Sequence, residues 1–187
     1  YRNAEDALTF STDKTTTVNL YKGTVKRNVY GGGLGQKGEG AANIPAYVGG
    51  NVTVELNNGV PSTEKGCVVE GNIFGCNNEN GSPKGTVNVH VYKTQNAAAD
   101  YIANQESDTD PTSANIPKKK GRYDVAAVYG GGNEAAYDPT DADNGKTVVV
   151  IDGCDDTSIQ YVYGGGNAAP VPATEVTINS AYEIYSL

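Results

Sequence analysis

The densest group of acidic side chains lies in the last quarter of the chain, where Asp152, Asp155 and Asp156 follow a valine-rich segment. Grouped aspartates act as acids and bases in polysaccharide hydrolases, and carboxylate oxygens are also the ligands that Ca²⁺ prefers. The two preceding segments of the same type are followed by Asn57 and Tyr92 instead of further acids. We therefore favour a solvated acidic turn, with a calcium site or a catalytic site as the alternatives.

A second acidic stretch, residues 138–145, has the composition of a calcium-binding loop. It does not follow the EF-hand pattern, because its glycine would place Thr140 and Ala142 at the first and third ligand positions. A polar turn is the interpretation that we favour here. We expect no cofactor; calcium is the alternative, and its candidate ligands are Asp141, Asp143, Asp152, Asp155 and Asp156.

His90 is the only histidine, and it alternates with the valines of residues 87–91. Alternation on a strand predicts that its side chain points away from the core, toward solvent. A catalytic histidine needs an orienting carboxylate together with a nucleophile or a metal, and the neighbouring sequence provides none of these. We expect a surface histidine and a protein that is not an enzyme.

The strongest pattern is a repeated motif. V-Y-G-G-G occurs at residues 29–33, 128–132 and 162–166, and a fourth copy, I-F-G-C-N, occurs at 73–77. No copy has the closing Gly-Lys-Ser/Thr of a phosphate-binding loop, and a recurring motif is not one nucleotide site. Recurrence instead indicates a repeat architecture. The motif residues are Tyr30, Gly31, Gly32, Gly33, Phe74, Gly75, Tyr129, Gly130, Gly131, Gly132, Tyr163, Gly164, Gly165 and Gly166.

Each copy is followed by an alternating T-V-x-V segment, as at residues 52–56 and 87–91. One unit is therefore a valine strand, a connector, a strand ending in V-Y-G-G-G, and a loop. The glycines are expected to adopt positive φ at a sharp bend and to leave room for adjacent coils. In register, Tyr30, Phe74, Tyr129 and Tyr163 would stack in a half-buried ladder; a fully exposed ladder would be a binding platform instead.

Composition agrees with a β-rich scaffold. The chain has 187 residues, 24 glycines, and 20 valines against 5 leucines, which argues against a helix bundle. Its net charge of −8 argues against nucleic-acid and anionic-membrane partners, and no segment is apolar enough to span a membrane. The cysteines Cys67, Cys76 and Cys154 match no metal-ligand spacing. Buried free thiols are predicted for them, with a Cys67–Cys76 disulfide as the alternative.

These patterns predict an all-β chain with a single solenoid domain over residues 1–187. Residues 1–16 are a lead-in and residues 95–122 an inserted loop. The predicted fold is a right-handed parallel β-helix; an antiparallel β-sandwich or hairpin repeat is the alternative, since each glycine turn could reverse the strand. Residues 182–187 stand where a fifth motif is expected to begin, so we expect a fragment of a longer array.

The V-Y-G-G-G-N units alternating with T-V-x-V strands, over residues 17–185, resemble the repeats of large surface proteins of Bacteroidales-type gut bacteria. The resemblance implies an extracellular, cell-surface location and an adhesin-like or structural role, with surface glycans or host proteins as partners. It implies no catalytic residues. Two other functions stay open: a carbohydrate-active β-helix enzyme (lyase or glycoside hydrolase), which requires residues 138–143 and 152–156 to converge, and a trimeric phage fibre. An open solenoid edge also predicts self-association.

Overall fold

A computed structural model describes residues 11, 13–94, 123–140 and 145–187. The described residues contain no α-helix, only two short 3-10 turns at Gly40–Ala42 and Cys154–Asp156. No helix in these ranges is long and apolar enough to cross a membrane. The strands are β1 (Thr15–Leu20), β2 (Gly23–Val25), β3 (Val29–Tyr30), β4 (Asn51–Leu56), β5 (Cys67–Val69), β6 (Asn72–Phe74), β7 (Val87–Val91), β8 (Val125–Tyr129), β9 (Thr147–Ile151), β10 (Ser158–Tyr163), β11 (Thr174–Ile178) and β12 (Glu183–Ser186).

The strands form two five-stranded sheets whose strand order follows the chain. The valine sheet has the order β1-β4-β7-β9-β11, the tyrosine sheet has the order β3-β6-β8-β10-β12, and β2 pairs with β5 in a small third sheet. All of these pairs are parallel. Each successive coil, defined as one strand of the valine sheet and the next strand of the tyrosine sheet, therefore stacks on the one before it. The predicted all-β repeat solenoid is confirmed; its right-handed winding stays a prediction.

The antiparallel alternative is wrong, because every strand pair in the sheets of the described residues is parallel. After each V-Y-G-G-G copy the chain crosses to the valine sheet and adds the next parallel strand there. The I-F-G-C-N copy at residues 73–77, the second in chain order, follows the same path although its sequence is degenerate. Residues Glu183–Ser186 then pair with β10 in the tyrosine sheet.

The core lies between the sheets and is built from stacked β-branched side chains. Val54, Val89 and Val149 are partners in register on adjacent strands, and each is at most 1% exposed. Ile73 and Val128 of the tyrosine sheet are buried in the same cluster. Each buried side chain of this size contributes about 1.5–3 kcal/mol. Alternation of buried valines with outward-facing polar residues therefore fixes which side chains each strand presents to solvent.

The motif glycines other than Gly165 are required by close packing and not by backbone conformation. None of them has positive φ; the glycines that do, such as Gly153, lie in other turns. A Cβ on Gly75 would lie 2.3 Å from the carbonyl oxygen of Gly130, and a Cβ on Gly130 would lie 2.3 Å from that of Gly164. The expected positive φ is therefore wrong, whereas the expected close approach of the coils is correct.

The degenerate second copy keeps its register by hydrogen bonding. The Asn77 side chain stands where other copies have a third glycine, and its Oδ1 accepts a hydrogen bond from the Gly33 backbone N–H at 3.0 Å. Its Nδ2 donates to the carbonyl oxygens of Ala46 and Asn80. The side chain thus ties the motif turns of adjacent coils together, and Phe74 remains opposite Tyr129.

The three cysteines are free, and two of them are buried as predicted. Burial raises the pKa of Cys67 and Cys76, so both thiols stay protonated. Cys154 is exposed, contrary to the prediction, because it begins a 3-10 turn outside the sheets with φ of 45°. It is therefore an accessible thiol in the folded chain.

Candidate functional site

A cluster of polar and aromatic side chains covers the outer face of the valine sheet at the carboxyl ends of its middle strands. We call Glu55, Asn58, His90, Tyr92 and Asp152 the polar cluster. Glu55 and His90 are partners in register on β4 and β7, while Tyr92 and Asp152 each follow the last residue of their strand. Parallel pairing without offset brings together residues that lie on three different coils.

His90 is held on two sides. Its Nε2 lies 2.5 Å from Oδ2 of Asp152, and its ring stacks on the Tyr92 ring with centroids 3.7 Å apart. The side chains of His90 and Asp152 are 26% and 29% exposed. The prediction that His90 points away from the core is correct, whereas the expected lack of an orienting carboxylate is wrong. The carboxylate comes from the next coil, 62 residues further along the chain.

Tyr92 and Glu55 complete the polar cluster. The Tyr92 hydroxyl donates to Oε1 of Glu55 at 3.5 Å, and Asn58 Nδ2 donates to the other carboxylate oxygen at 2.9 Å. Burial raises the pKa of Tyr92, and the negative charges of Glu55 and Asp152 raise it further. The phenol therefore remains a neutral hydrogen-bond donor at physiological pH. An aromatic pair stands between two carboxylates.

An open groove of about 430 Å³ adjoins the polar cluster. Val60 and Ser62 line it from one loop, residues 153–156 line it from the turn after β9, and Tyr92 and Lys93 contribute the strand end between them. The groove thus combines an aromatic ring, hydroxyls, an exposed thiol and carboxylates. It lies on the middle coils of the stack.

Lys93 fixes one wall of the groove. The residue is 4% exposed, and its ammonium donates to the carbonyl oxygens of Pro61 and Glu64. Burial lowers the pKa of Lys93, and the charges of Asp156 and Glu64 offset part of that effect. The loop of residues 57–66 is therefore held against the third coil by a buried cation.

The structure does not bring Asp152, Asp155 and Asp156 together as one metal site. Asp152 contacts His90, while Asp156 is buried, with its pKa raised by burial and lowered by Lys93. Among the described residues, no three His, Cys, Asp or Glu side chains form a group that could hold a metal ion. The other calcium candidates, Asp141 and Asp143, lie outside the described residues.

The acidic segments 138–143 and 152–156 do not converge in their described parts. Asp138 contacts Lys84 at 2.8 Å, and Lys84 precedes β7 in the chain. Asp152 follows β9 instead. Because the strands are parallel, the two carboxylates lie at opposite ends of the valine sheet.

The predicted aromatic ladder is present on the tyrosine sheet. Ring centroids lie 5.1 Å apart for Tyr30 and Phe74, 4.8 Å for Phe74 and Tyr129, and 5.3 Å for Tyr129 and Tyr163. Phe74 is fully buried, Tyr30 and Tyr129 are half-buried, and Tyr163 is 38% exposed. Because the rings cover one another's faces, the ladder presents ring edges to solvent. It stabilises the stack and is not a flat platform for a sugar ring.

An asparagine ladder runs beside the motif turns and is not anticipated by the sequence analysis. Asn133 Nδ2 donates to Oδ1 of Asn78 at 2.9 Å, and Asn167 Nδ2 donates to Oδ1 of Asn133 at the same distance. The asparagine directly after two of the glycine triplets is the signal that points to it. Side-chain amides thus add hydrogen bonds between coils where the backbone turns.

Sequence reasoning also misses Glu55, Tyr92 and Lys93. Aligning the T-V-x-V segments would place Glu55 beside His90, since both are outward-facing at equivalent positions. The role of Lys93 has no such signal, because it depends on the path of the loop at residues 57–66. Comparison of the chain with protein families, curated proteins and solved structures returns no match.

Proposed function

We propose that this chain is a non-catalytic, adhesin-like module of a bacterial cell-surface protein that binds glycans or proteins on its valine-sheet face. The observation that carries the proposal is the groove beside the polar cluster, where the Tyr92 ring lies among carboxylates and hydroxyls. The stacked coils provide a rigid support for such a site. Polar groups held on regular strands orient a ligand more precisely than groups on loops.

Several features support binding over catalysis. Glu55 is hydrogen-bonded by Asn58, and Asp152 is engaged by His90, so both carboxylates have fixed partners. The acids required by the enzyme alternative lie at opposite ends of the valine sheet as far as they are described. Fixed acceptors beside an aromatic ring suit recognition of hydroxyl-bearing ligands.

Glycan-array capture, paired with a polysaccharide-degradation assay, tests the proposal. Wild-type protein should be captured by at least one glycan or host glycoprotein and should leave polysaccharides intact. Tyr92→Ala should lose capture about tenfold or more, equivalent to about 1.4 kcal/mol of binding free energy. Tyr47→Ala is the matched control, since Tyr47 is an exposed tyrosine away from the groove. Absence of any capture would refute the proposal.

A carbohydrate-active enzyme is the second candidate, favoured by the short contact between His90 and Asp152. A histidine oriented by a carboxylate is a competent general base or acid, and Glu55 supplies a second carboxylate on the neighbouring strand. Cleavage of a polysaccharide by wild-type protein, lost in His90→Ala but not in Tyr47→Ala, would replace the binding module with this enzyme.

A further inference from the structure

We infer that the groove beside the polar cluster takes an uncharged, hydroxyl-rich glycan and rejects uronate-bearing and sulfated glycans. The inference rests on the proposed function and names the ligand class of the same site. It depends on which charges face the groove, which hydrogen-bonding groups remain available there, and how one lysine is used.

Carboxylates dominate the charge around the groove. Asp155 and Asp156 line it, and Glu55 and Asp152 stand beside Tyr92 in the polar cluster. A sulfate or uronate placed there would meet like charges, which disfavours the wrong ligand by repulsion. Hydroxyl groups, in contrast, donate hydrogen bonds to carboxylate oxygens.

Lys93 is the one lysine or arginine among the residues that line the described groove, and it is already engaged. Its ammonium donates to two carbonyl oxygens of the 57–66 loop and interacts with the charge of Asp156. An anionic ligand would have to break these contacts to reach it. We therefore assign Lys93 to positioning the loop and not to binding an anion.

The remaining groups suit a sugar ring. Tyr92 contributes the part of its ring that His90 does not cover and a phenol oxygen that can accept a hydrogen bond while its proton is directed to Glu55, and Ser62 adds a hydroxyl. Aromatic rings combined with a few polar groups are the usual lining of small-ligand sites. An uncharged saccharide can contact these groups without bringing a charge of its own that must leave water.

Cys154 gives a readout that is specific to this groove. It lines the groove and is exposed, whereas Cys67 and Cys76 are buried. A maleimide should therefore modify Cys154 selectively in the folded protein. A ligand seated in the groove should protect the thiol, and mass spectrometry reports the rate of modification.

The experiment measures modification of Cys154 with uncharged oligosaccharides (xylohexaose, cello-oligosaccharides, N-acetylated chitohexaose, manno-oligosaccharides) and with anionic ones (oligogalacturonate, hyaluronan and heparin fragments). At least one uncharged glycan should slow modification about tenfold at about ten times its Kd. The anionic glycans should leave the rate unchanged. At the same glycan concentration Tyr92→Ala, with at least tenfold weaker binding, should show about twofold protection or less. Cys154→Ser should show no fast-reacting thiol.

The possible failures are distinguishable. Protection by an anionic glycan would overturn the inference and leave the proposed binding function standing. Capture of a glycan on an array without protection of Cys154 would place binding elsewhere and would also overturn it. Capture of no glycan and no host glycoprotein would refute the proposed function itself.

Discussion

Glycines in different copies of the motif differ in how much added volume the stack accepts. A Cβ on Gly130 would meet the carbonyl oxygen of Gly164 at 2.3 Å, whereas a Cβ on Gly165 would have nothing within 4 Å. We predict that Gly130→Ala lowers the free energy of unfolding by about 1–3 kcal/mol, because the coils must move apart. Gly165→Ala should change it by less than about 1 kcal/mol. Urea denaturation measures both variants.

Equal destabilisation by the two substitutions would contradict this account, since it would mean that backbone conformation and not contact between coils requires the motif glycines. Gly165 belongs to the last motif copy, whereas a Cβ on the equivalent Gly131 of the copy before it would lie 2.6 Å from the backbone nitrogen of Gly166. Reading the glycines as flexible bends is the natural inference from the sequence. The reason why glycine is required is the short distance between coils, and this distance follows from the tertiary structure and not from the local sequence.

Asp124 gives the stack a defined pH dependence. Thr94 Oγ1 donates to its carboxylate at 2.9 Å. Burial raises the pKa of Asp124 to about 6; the Thr94 hydrogen bond lowers it, and the charges of Glu183 and Asp156 raise it further. The pKa of Asp124 is higher in the folded state than in the unfolded chain. The protonated carboxyl of Asp124 therefore contributes to the free energy of unfolding fully below the unfolded pKa, and this contribution is lost as the pH rises through about 6.

We therefore predict that the melting temperature falls as the pH is raised from about 4 to about 7, and that Asp124→Asn reduces this fall. Differential scanning calorimetry between these pH values measures the melting temperatures of both proteins. Asp138→Asn, which replaces a carboxylate that is 78% exposed, is the control for the general effect of exchanging an aspartate for an asparagine. If Asp124→Asn showed the same dependence of melting temperature on pH as the wild type, Asp124 would not be its source.

The aromatic ladder is an element that reaches across four coils. Phe74 is its fully buried member, stacked between Tyr30 and Tyr129 with both ring pairs 6° from parallel. We predict that Phe74→Ala costs about 3–5 kcal/mol of stability, as for other buried aromatic residues. Tyr163→Ala should cost clearly less, because Tyr163 is 38% exposed. Denaturant midpoints compare the two, and similar losses would contradict the ladder's role in the core.

The strands and the ladder are predictable from the sequence because each rests on local signals. Alternation in residues 87–91 identifies a half-buried strand, and recurrence of Val-Tyr before the glycines implies stacking in register. The contact between His90 and Asp152 cannot be predicted from such local signals. It needs the register of β7 against β9 and the position of Asp152 one residue past the end of β9.

Charge is distributed unevenly along the whole molecule. Residues 13–48 contain five basic and two acidic side chains, whereas residues 147–187 contain five acidic side chains and no lysine or arginine. β1 and β11 are the outer strands of the valine sheet. We predict concentration-dependent, head-to-tail association of these edges, weakened by salt because charge attraction contributes to it.

Sedimentation velocity at low and high salt measures this association. A strictly monomeric chain at high concentration would contradict the prediction. A defined, salt-independent trimer would favour the phage-fibre alternative over the surface module, since an intertwined fibre closes at three chains. The native mass therefore distinguishes the surface module from the phage fibre, since the stacked fold is compatible with both.

The central claim is that binding belongs to the groove on the valine sheet and not to the ladder on the tyrosine sheet. The most direct test is the equilibrium affinity of Tyr92→Ala and Tyr163→Ala for the glycan best captured by wild-type protein. The account predicts that Tyr92→Ala weakens binding about tenfold or more while Tyr163→Ala binds like wild type. Full affinity in Tyr92→Ala, with loss of binding in Tyr163→Ala, would contradict it.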